Sequence, residues 1–119
     1  MKKILIVEDV EMNRDLLVQL LEDDYQLFEA VDGQQGLEMA LREKPDLILM
    51  DVGLPEMDGW EVTRKIRADA NLGQTPIIAV TAHAMSGDED KALQVGCNDY
   101  IAKPIDEDEL WEKVEKHIA

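Results

Sequence analysis

The sequence contains little of what would mark a secreted or membrane protein. Its single cysteine, Cys97, cannot form an internal disulfide, which fits a reducing compartment and makes the cytoplasm the expected location. No apolar run approaches the length of a membrane span. Lys2 and Lys3 precede only a short apolar run without a cleavage site, so no signal peptide is predicted and no membrane association is expected.

Basic residues are also scarce, since 12 Lys and Arg stand against 27 Asp and Glu and give a formal net charge of −15. A chain this acidic repels phosphate backbones, so no direct binding to nucleic acid is expected. No linker, repeat or low-complexity segment divides the 119 residues, which suffice for one domain with its own core. Residues 1–119 are therefore predicted to form a single domain.

Three apolar runs without alternation predict strands that are buried on both faces, as in a parallel sheet covered by helices. They are residues 4–7, 47–50 and 77–80. Two weaker segments, residues 25–31 and 100–102, suit the edges of the sheet. Because strands and helices alternate strictly, the predicted fold is an α/β, flavodoxin-like (βα)5 protein with a doubly wound parallel five-stranded sheet in the order 2-1-3-4-5.

Apolar residues at helical spacing predict five helices between and after these strands. The stripes are Leu16, Leu17, Leu20 and Leu21; Leu37, Ala40 and Leu41; Val62 and Ile66; Ala92, Leu93 and Val95; and Leu110, Val114 and Ile118. Four helix starts have a capping residue followed three places later by Glu or Gln, namely Asp32 with Gln35, Asp58 with Glu61, Ser86 with Glu89, and Asp106 with Glu109. The first helix lacks this signature although Asp9 stands where a cap could be, so we expect Asp9 to serve another role.

Polar residues follow four of the predicted strands at the edge where parallel strands end together. Glu8 and Asp9 follow the first strand, Asp51 the third, Thr81 the fourth and Lys103 the fifth. The carboxylates of Glu8, Asp9 and Asp51 would lie within a few ångströms of one another at this edge and would repel. Either their pKa values rise or a cation binds. Oxygen ligands without a His or Cys cluster favour a hard ion such as Mg²⁺, while a lysine and a hydroxyl can contact phosphoryl oxygens.

Four segments in this order make the sequence resemble the receiver domain of two-component response regulators over essentially its whole length. They are VED at 7–9, MDVGLPEMDG at 50–59, VTAHAM at 80–85 and DYIAKP at 99–104. The resemblance implies a phosphorelay response regulator that takes a phosphoryl group from a phosphohistidine. Such a protein is a signalling receiver that promotes its own phosphorylation and dephosphorylation, and not an enzyme acting on other substrates.

The resemblance also implies a role for each acidic position. Asp51 would be the phosphoacceptor, and Mg²⁺, for which Mn²⁺ could substitute, would be held by Asp9, Asp51 and the backbone carbonyl of Gly53. Glu8, where many relatives have Asp, would act on the metal through water. Gly53 places no side chain beside Asp51. This open space would tune the access of water to the acyl phosphate.

The remaining positions that match the family concern the phosphoryl group and the switch. Lys103 and Thr81 would bind phosphoryl oxygens, and Thr81 with Tyr100 would form the switch. Pro104 would follow a cis peptide bond that aims Lys103 inward. For His83 two interpretations stay open, a solvent-facing loop residue or a residue that tunes water access.

The implied partners are a sensor histidine kinase, a histidine phosphotransfer protein, or both. A downstream protein would bind the face formed by the fourth helix, the fifth strand and the fifth helix. Because the chain ends after the fifth helix, a stand-alone receiver is expected, either a relay shuttle or a direct protein regulator. An excised domain of a larger regulator or hybrid kinase stays open.

Two other protein classes share part of this pattern. An FMN-binding flavodoxin-like protein would need a phosphate loop rich in Ser, Thr and Gly after the first strand, where this chain has EDVEMNR. A phosphatase with an aspartate nucleophile would need a second Asp two residues after the first, where this chain has Gly53. Both alternatives therefore fit less well than a receiver.

Overall fold

The computed structural model describes residues 1–82 and 88–118, with the backbone alone for residues 88 and 89. Within that part of the chain, strands and helices alternate in the predicted order. The elements are β1 (Lys3–Val7), α1 (Glu11–Leu21), β2 (Gln26–Ala30), α2 (Gly33–Glu43), β3 (Leu47–Asp51), α3 (Gly59–Ala68), β4 (Ile77–Thr81), α4 (Asp88–Val95), β5 (Asp99–Ala102) and α5 (Glu107–Ile118). None of the described helices has the length and apolarity that crossing a membrane requires.

The five strands form one parallel sheet in the order β2-β1-β3-β4-β5, so the predicted fold class and strand order are confirmed. Val7 pairs with Met50 and Thr81 pairs with Ala102 near the carboxyl ends of these strands. Glu8 and Lys103, which follow β1 and β5, therefore lie at the same edge of the sheet as Asp51 and Thr81, which end β3 and β4. β2 is one residue shorter at each end than the predicted segment 25–31.

Two apolar cores lie on opposite faces of the sheet because successive strand residues point to opposite sides. In β1, Leu5 and Val7 belong to the core under α2, α3 and α4, whereas Ile4 and Ile6 belong to the core under α1 and α5. All five residues of β3 and of β4 are buried, as expected for central strands covered on both sides.

Three of the predicted helical stripes are wider than the buried face. Leu16, Leu41 and Leu93 are 41%, 44% and 57% exposed. Each follows or precedes a buried residue by one position, and one step along a helix turns the side chain by about 100°. Those three leucines therefore lie at the edge of the apolar face and are not core residues.

Three of the predicted capping residues accept a hydrogen bond from the backbone N–H three residues later. They are Asp32 with Gln35 (2.8 Å), Asp58 with Glu61 (3.0 Å) and Asp106 with Glu109 (2.9 Å). Ser86, the fourth, lies outside the described residues. α1 begins after Val10 without a side-chain cap, so Asp9 does not cap this helix.

Gly59 brings the start of α3 against the end of β3. A Cβ atom at this position would lie 2.4 Å from the Asp51 carbonyl oxygen and 2.8 Å from the Val52 Cα atom. Both are backbone atoms, which cannot move aside as the end of a flexible side chain can. Glycine at this position therefore lets the loop of residues 52–58 fold back over the strand end that carries Asp51.

Candidate functional site

Three carboxylates meet at the carboxyl edge of the sheet. Glu8, Asp9 and Asp51 each offer an oxygen, and these oxygens lie within 4.8 Å of one another. Glu8 and Asp51 are buried, at 1% and 5% exposure, whereas Asp9 is exposed. The cluster forms because β1 and β3 are paired neighbours, with Val7 opposite Met50, so Glu8 lies beside Asp51.

Lys103 brings one positive charge into this cluster. Its ammonium nitrogen lies 3.1 Å from Glu8 Oε1 and 3.5 Å from Asp51 Oδ1. Burial acts to lower the pKa of Lys103, but its contacts with Glu8 and Asp51 outweigh that effect and raise it. The Lys103–Pro104 peptide bond is cis, and the Lys103 backbone N–H donates to the Thr81 carbonyl at 2.8 Å.

Glu8 is the acid whose ionisation the site disfavours. Burial and the neighbouring Asp51 carboxylate raise the pKa of Glu8 to about 7, although Lys103 and the Val10 N–H act to lower it. The Val10 N–H donates to Glu8 Oε2 at 3.2 Å. Glu8 Oε1 is buried and, within the described residues, accepts no hydrogen bond, although it forms an ion pair with the Lys103 ammonium.

These observations fit a divalent cation bound by oxygen atoms. Three carboxylates face one lysine, so the cluster lacks positive charge when its acids are ionised. Glu8 and Asp51 share the one Lys103 ammonium, so a second cation would lower the cost of burying their carboxylate oxygens. Mg²⁺ prefers a few carboxylates completed by waters, and the exposed Asp9 leaves one side of the cluster open to solvent.

Gly53 lies beside Asp51 as the sequence predicts for the loop after β3. Its backbone N–H donates to Asp51 Oδ1 at 3.1 Å, and a Cβ atom added to Gly53 would lie 3.7 Å from the same oxygen. Gly53 itself is exposed. Asp51 thus has one carboxylate oxygen held by Gly53 and by the Lys103 ammonium.

The two predicted switch residues lie on neighbouring strands. Thr81 ends β4 and is 1% exposed, while Tyr100 lies in β5 and is half-buried against the core under α2, α3 and α4. The Lys113 ammonium lies 4.7 Å from the centre of the Tyr100 ring. His83, for which two interpretations were open, lies outside the described residues.

An ionic cluster that the sequence patterns do not predict lies beside Tyr100. Asp99 Oδ2 lies 3.1 Å from His117 Nε2, and Asp99 Oδ1 lies 3.3 Å from Lys113 Nζ. Burial acts to raise the pKa of Asp99, but His117, the Tyr100 N–H and Lys113 outweigh it and lower the pKa. The only signal in the sequence is that Lys113 and His117 are four residues apart and so share a helix face.

Comparisons with known proteins find relatives over nearly the whole chain. Residues 4–115 match the family described as the response regulator receiver domain. The polar-differentiation response regulator DivK of Brucella anthropi is 42% identical over 119 residues, which cover 99% of this chain and 97% of that protein.

Two solved structures resemble the fold closely. The receiver domain of the sensor histidine kinase PA1611 from Pseudomonas aeruginosa has a magnesium ion coordinated in its active-site cleft. It matches with a TM-score of 0.92 and 42% identity, covering 98% of this chain and 97% of that one. The Vibrio cholerae chemotaxis protein CheY4 matches with a TM-score of 0.92 and 27% identity, covering 98% of each chain.

Proposed function

Because this chain belongs to the response regulator receiver domain family, we propose that Asp51 is its phosphoacceptor and that a protein-binding face responds to the phosphorylation of Asp51. The chain is a phosphorelay response regulator, a signalling protein that works with kinases or phosphotransfer proteins and with downstream proteins. The observation that carries the assignment is the burial of Asp51 at the end of β3 between Lys103 and the Gly53 N–H.

The reaction proposed is transfer of a phosphoryl group from a phosphohistidine nitrogen to a carboxylate oxygen of Asp51. The P–O bond forms, the P–N bond breaks, and the donor's imidazole leaves, which makes Asp51 a nucleophile in a covalent step. Such a transfer needs positioning and charge neutralisation more than acid or base chemistry. The rigid strand and the Gly53 N–H orient the carboxylate, and Lys103 is close enough to turn toward a phosphoryl oxygen.

Mg²⁺, when bound, supplies positive charge that neutralises the phosphoryl oxygens. Asp9, Asp51 and the Gly53 carbonyl would hold the ion directly, and Glu8 would contact it through water; Mn²⁺, also a hard ion, could substitute. The grouping of Glu8, Asp9 and Asp51, whose oxygens lie within 4.8 Å of one another, supports this ligand set.

The chain would promote its own phosphorylation and dephosphorylation with the same residues. Lys103 and the Thr81 hydroxyl would contact phosphoryl oxygens, and reorientation of Thr81 would let Tyr100 move inward. Gly53 leaves space beside Asp51 that a water molecule could use to hydrolyse the acyl phosphate. His83, two residues after Thr81 in the sequence, would tune that hydrolysis.

The partners proposed are a sensor histidine kinase, a histidine phosphotransfer protein, or both, and a downstream protein at the face of α4, β5 and α5. The net charge of −15 argues against nucleic acid as a partner. Residues 1–119 would form one receiver domain that works in the cytoplasm, where ATP-dependent kinases supply phosphohistidine. The comparisons do not favour an FMN protein or an aspartate-nucleophile phosphatase.

The test is labelling with a small phosphodonor such as acetyl phosphate in the presence of Mg²⁺. We expect the wild-type protein and Asp58→Asn to form an acid-stable, base-labile adduct, because Asp58 caps α3 in the same loop. Asp51→Asn should form none, since an amide replaces the nucleophilic oxygen. Unchanged labelling of Asp51→Asn would refute the assignment.

A further inference from the structure

Arg14 on α1 reaches back to the strand end that carries the acidic pair. Its Nη1 atom donates a hydrogen bond to the Glu8 carbonyl oxygen at 3.1 Å, and its Nε atom lies 3.3 Å from Glu29 Oε1 on β2. The Arg14 side chain is 15% exposed, whereas that of Glu29 is 46% exposed. Arg14 therefore links α1, β2 and the end of β1 at one point.

The Glu8 carbonyl oxygen belongs to the peptide unit that joins Glu8 to Asp9. Because a peptide unit is planar and rigid, a hydrogen bond to its oxygen also fixes the direction in which Asp9 leaves the strand. Glu8 is held further by its own N–H, which donates to the Ala30 carbonyl, and by its carboxylate, which accepts from the Val10 N–H. The Asp9 side chain makes no hydrogen bond or ion pair with the described residues, so the backbone alone positions it.

We infer that Arg14 is a positioning residue that orients the Glu8–Asp9 peptide for Mg²⁺ binding, an inference that rests on the proposed function. Arg14 does not contact the carboxylates of the cluster and acts through the backbone. Its charge has the opposite effect, because a nearby cation repels Mg²⁺ and removing it would tighten binding on Coulombic grounds. Loss of the anchoring hydrogen bond would weaken binding, as the loss of outer contacts to metal ligands does. Weaker Mg²⁺ binding after removal of Arg14 would therefore indicate the loss of the hydrogen bond, and tighter binding would indicate the loss of the charge.

The experiment is a calorimetric titration of Mg²⁺ into the wild-type protein, Arg14→Ala, Arg14→Lys and the control Arg42→Ala. Arg42 pairs with Glu43 in the last turn of α2, at the other edge of the sheet, so its loss removes the same charge far from the acidic pair. Lys at position 14 keeps the charge, but one ammonium does not reproduce a planar guanidinium that uses separate nitrogens for Glu8 and Glu29.

We expect the Kd for Mg²⁺ to rise about tenfold in Arg14→Ala and by a smaller factor in Arg14→Lys, with little change in Arg42→Ala. The Mg²⁺ concentration for half-maximal labelling by acetyl phosphate should rise by the same factor, while the rate at saturating Mg²⁺ stays near that of the wild-type protein. A variant that is only less stable, with its metal ligands correctly placed, would not need more Mg²⁺ while keeping the same labelling rate at saturation.

Unchanged or tighter Mg²⁺ binding in Arg14→Ala would overturn the inference while the wild-type protein still binds Mg²⁺ and accepts a phosphoryl group. A wild-type protein that does neither would refute the proposed function itself, and the inference with it. Urea unfolding without metal establishes that each variant folds. If Arg14→Ala does not fold, Arg14→Lys decides the question, because a wild-type Kd in that variant contradicts the positioning role.

Discussion

The Lys103 ammonium lies 3.1 Å from Oε1 of Glu8, a side chain that is itself almost fully buried. This pair joins the residue after β1 to the residue after β5, across the two strands β3 and β4 that lie between them in the sheet. The same ammonium lies 3.5 Å from Asp51 Oδ1. The lysine therefore neutralises part of the acidic cluster, and it lies close to Asp51, the proposed phosphoacceptor.

Asp9, a member of the acidic cluster, and Asp58, the cap of α3, should differ in their effect on metal binding. We expect Asp9→Asn to weaken Mg²⁺ binding by at least about tenfold, because it removes an ionised oxygen from the proposed ligand set. Asp58→Asn should leave the Kd unchanged, since Asp58 Oδ1 accepts the Glu61 N–H as a helix cap. Calorimetric titration of both variants measures the difference, and equal losses would show that the wrong acid was assigned to the metal.

Two glycines near Asp51 should tolerate substitution very differently. Gly59→Ala would force its Cβ against the Asp51 carbonyl oxygen, and we expect it to destabilise the fold by about 1–3 kcal/mol and to slow phosphorylation. Gly53→Ala meets only ordinary contact, with Asp51 Oδ1 at 3.7 Å, and should change stability little. Urea unfolding midpoints of the two variants test this, and equal midpoints would contradict the close packing of Gly59.

Thr81 is expected to couple Asp51 to the face around Tyr100. A hydrogen bond from a hydroxyl to a charged phosphoryl oxygen contributes about 1.5–3 kcal/mol, enough to shift two nearly balanced states roughly ten- to a hundredfold. Thr81→Ala should keep some phosphorylation of Asp51 but lose the change in amide NMR shifts around Tyr100 on adding a phosphoryl mimic. Thr81→Ser keeps the hydroxyl and should retain the change in amide shifts. A full change in amide shifts in Thr81→Ala would exclude coupling through Thr81.

Arg67 should stabilise the side of the molecule away from the site. Its guanidinium donates to the Gly96 carbonyl (2.7 Å), the Thr75 carbonyl (2.6 Å) and Asn98 Oδ1 (2.7 Å), which ties the end of α3 to the segments before β4 and β5. We expect Arg67→Ala to lower the free energy of unfolding by about 2–3 kcal/mol. Arg64→Ala, on the exposed side of α3, should lower it by less than about 0.5 kcal/mol. Similar losses of unfolding free energy in both variants would mean that the hydrogen bonds of Arg67 contribute little to stability.

Asp99 should make part of the stability depend on pH. Its folded-state pKa is lowered, so its ionised contacts stabilise the protein above the unfolded-state pKa of about 3.9, and this contribution is lost as the pH falls through the lower folded-state value. We expect Asp99→Asn to be about 1 kcal/mol less stable than the wild-type protein at pH 7, a figure reduced for partial solvent screening. The difference should shrink by pH 3 in urea unfolding. A difference that stays constant between these pH values would assign the effect to packing.

The sequence by itself determined the order of the elements and the strand ends on which the site is built. Apolar runs identify buried strands, and capping residues such as Asp32, Asp58 and Asp106 mark helix starts. Both can be read from the sequence because each signal is contained within a few consecutive residues. Parallel strands then bring their carboxyl ends together, which is why the positions of Glu8 and Asp51 could be predicted to meet.

Only the tertiary structure decided which side chains contact one another across elements. The hydrogen bond from Arg14 to the Glu8 carbonyl and the ion pair of His117 with Asp99 depend on how each helix is rotated on the sheet. Helical periodicity defines an apolar face only to within about one residue, so the exposure of Leu16 could not be read from it either. The rotation of a helix is set by how its whole buried face packs against the strands, and a local pattern does not contain that information.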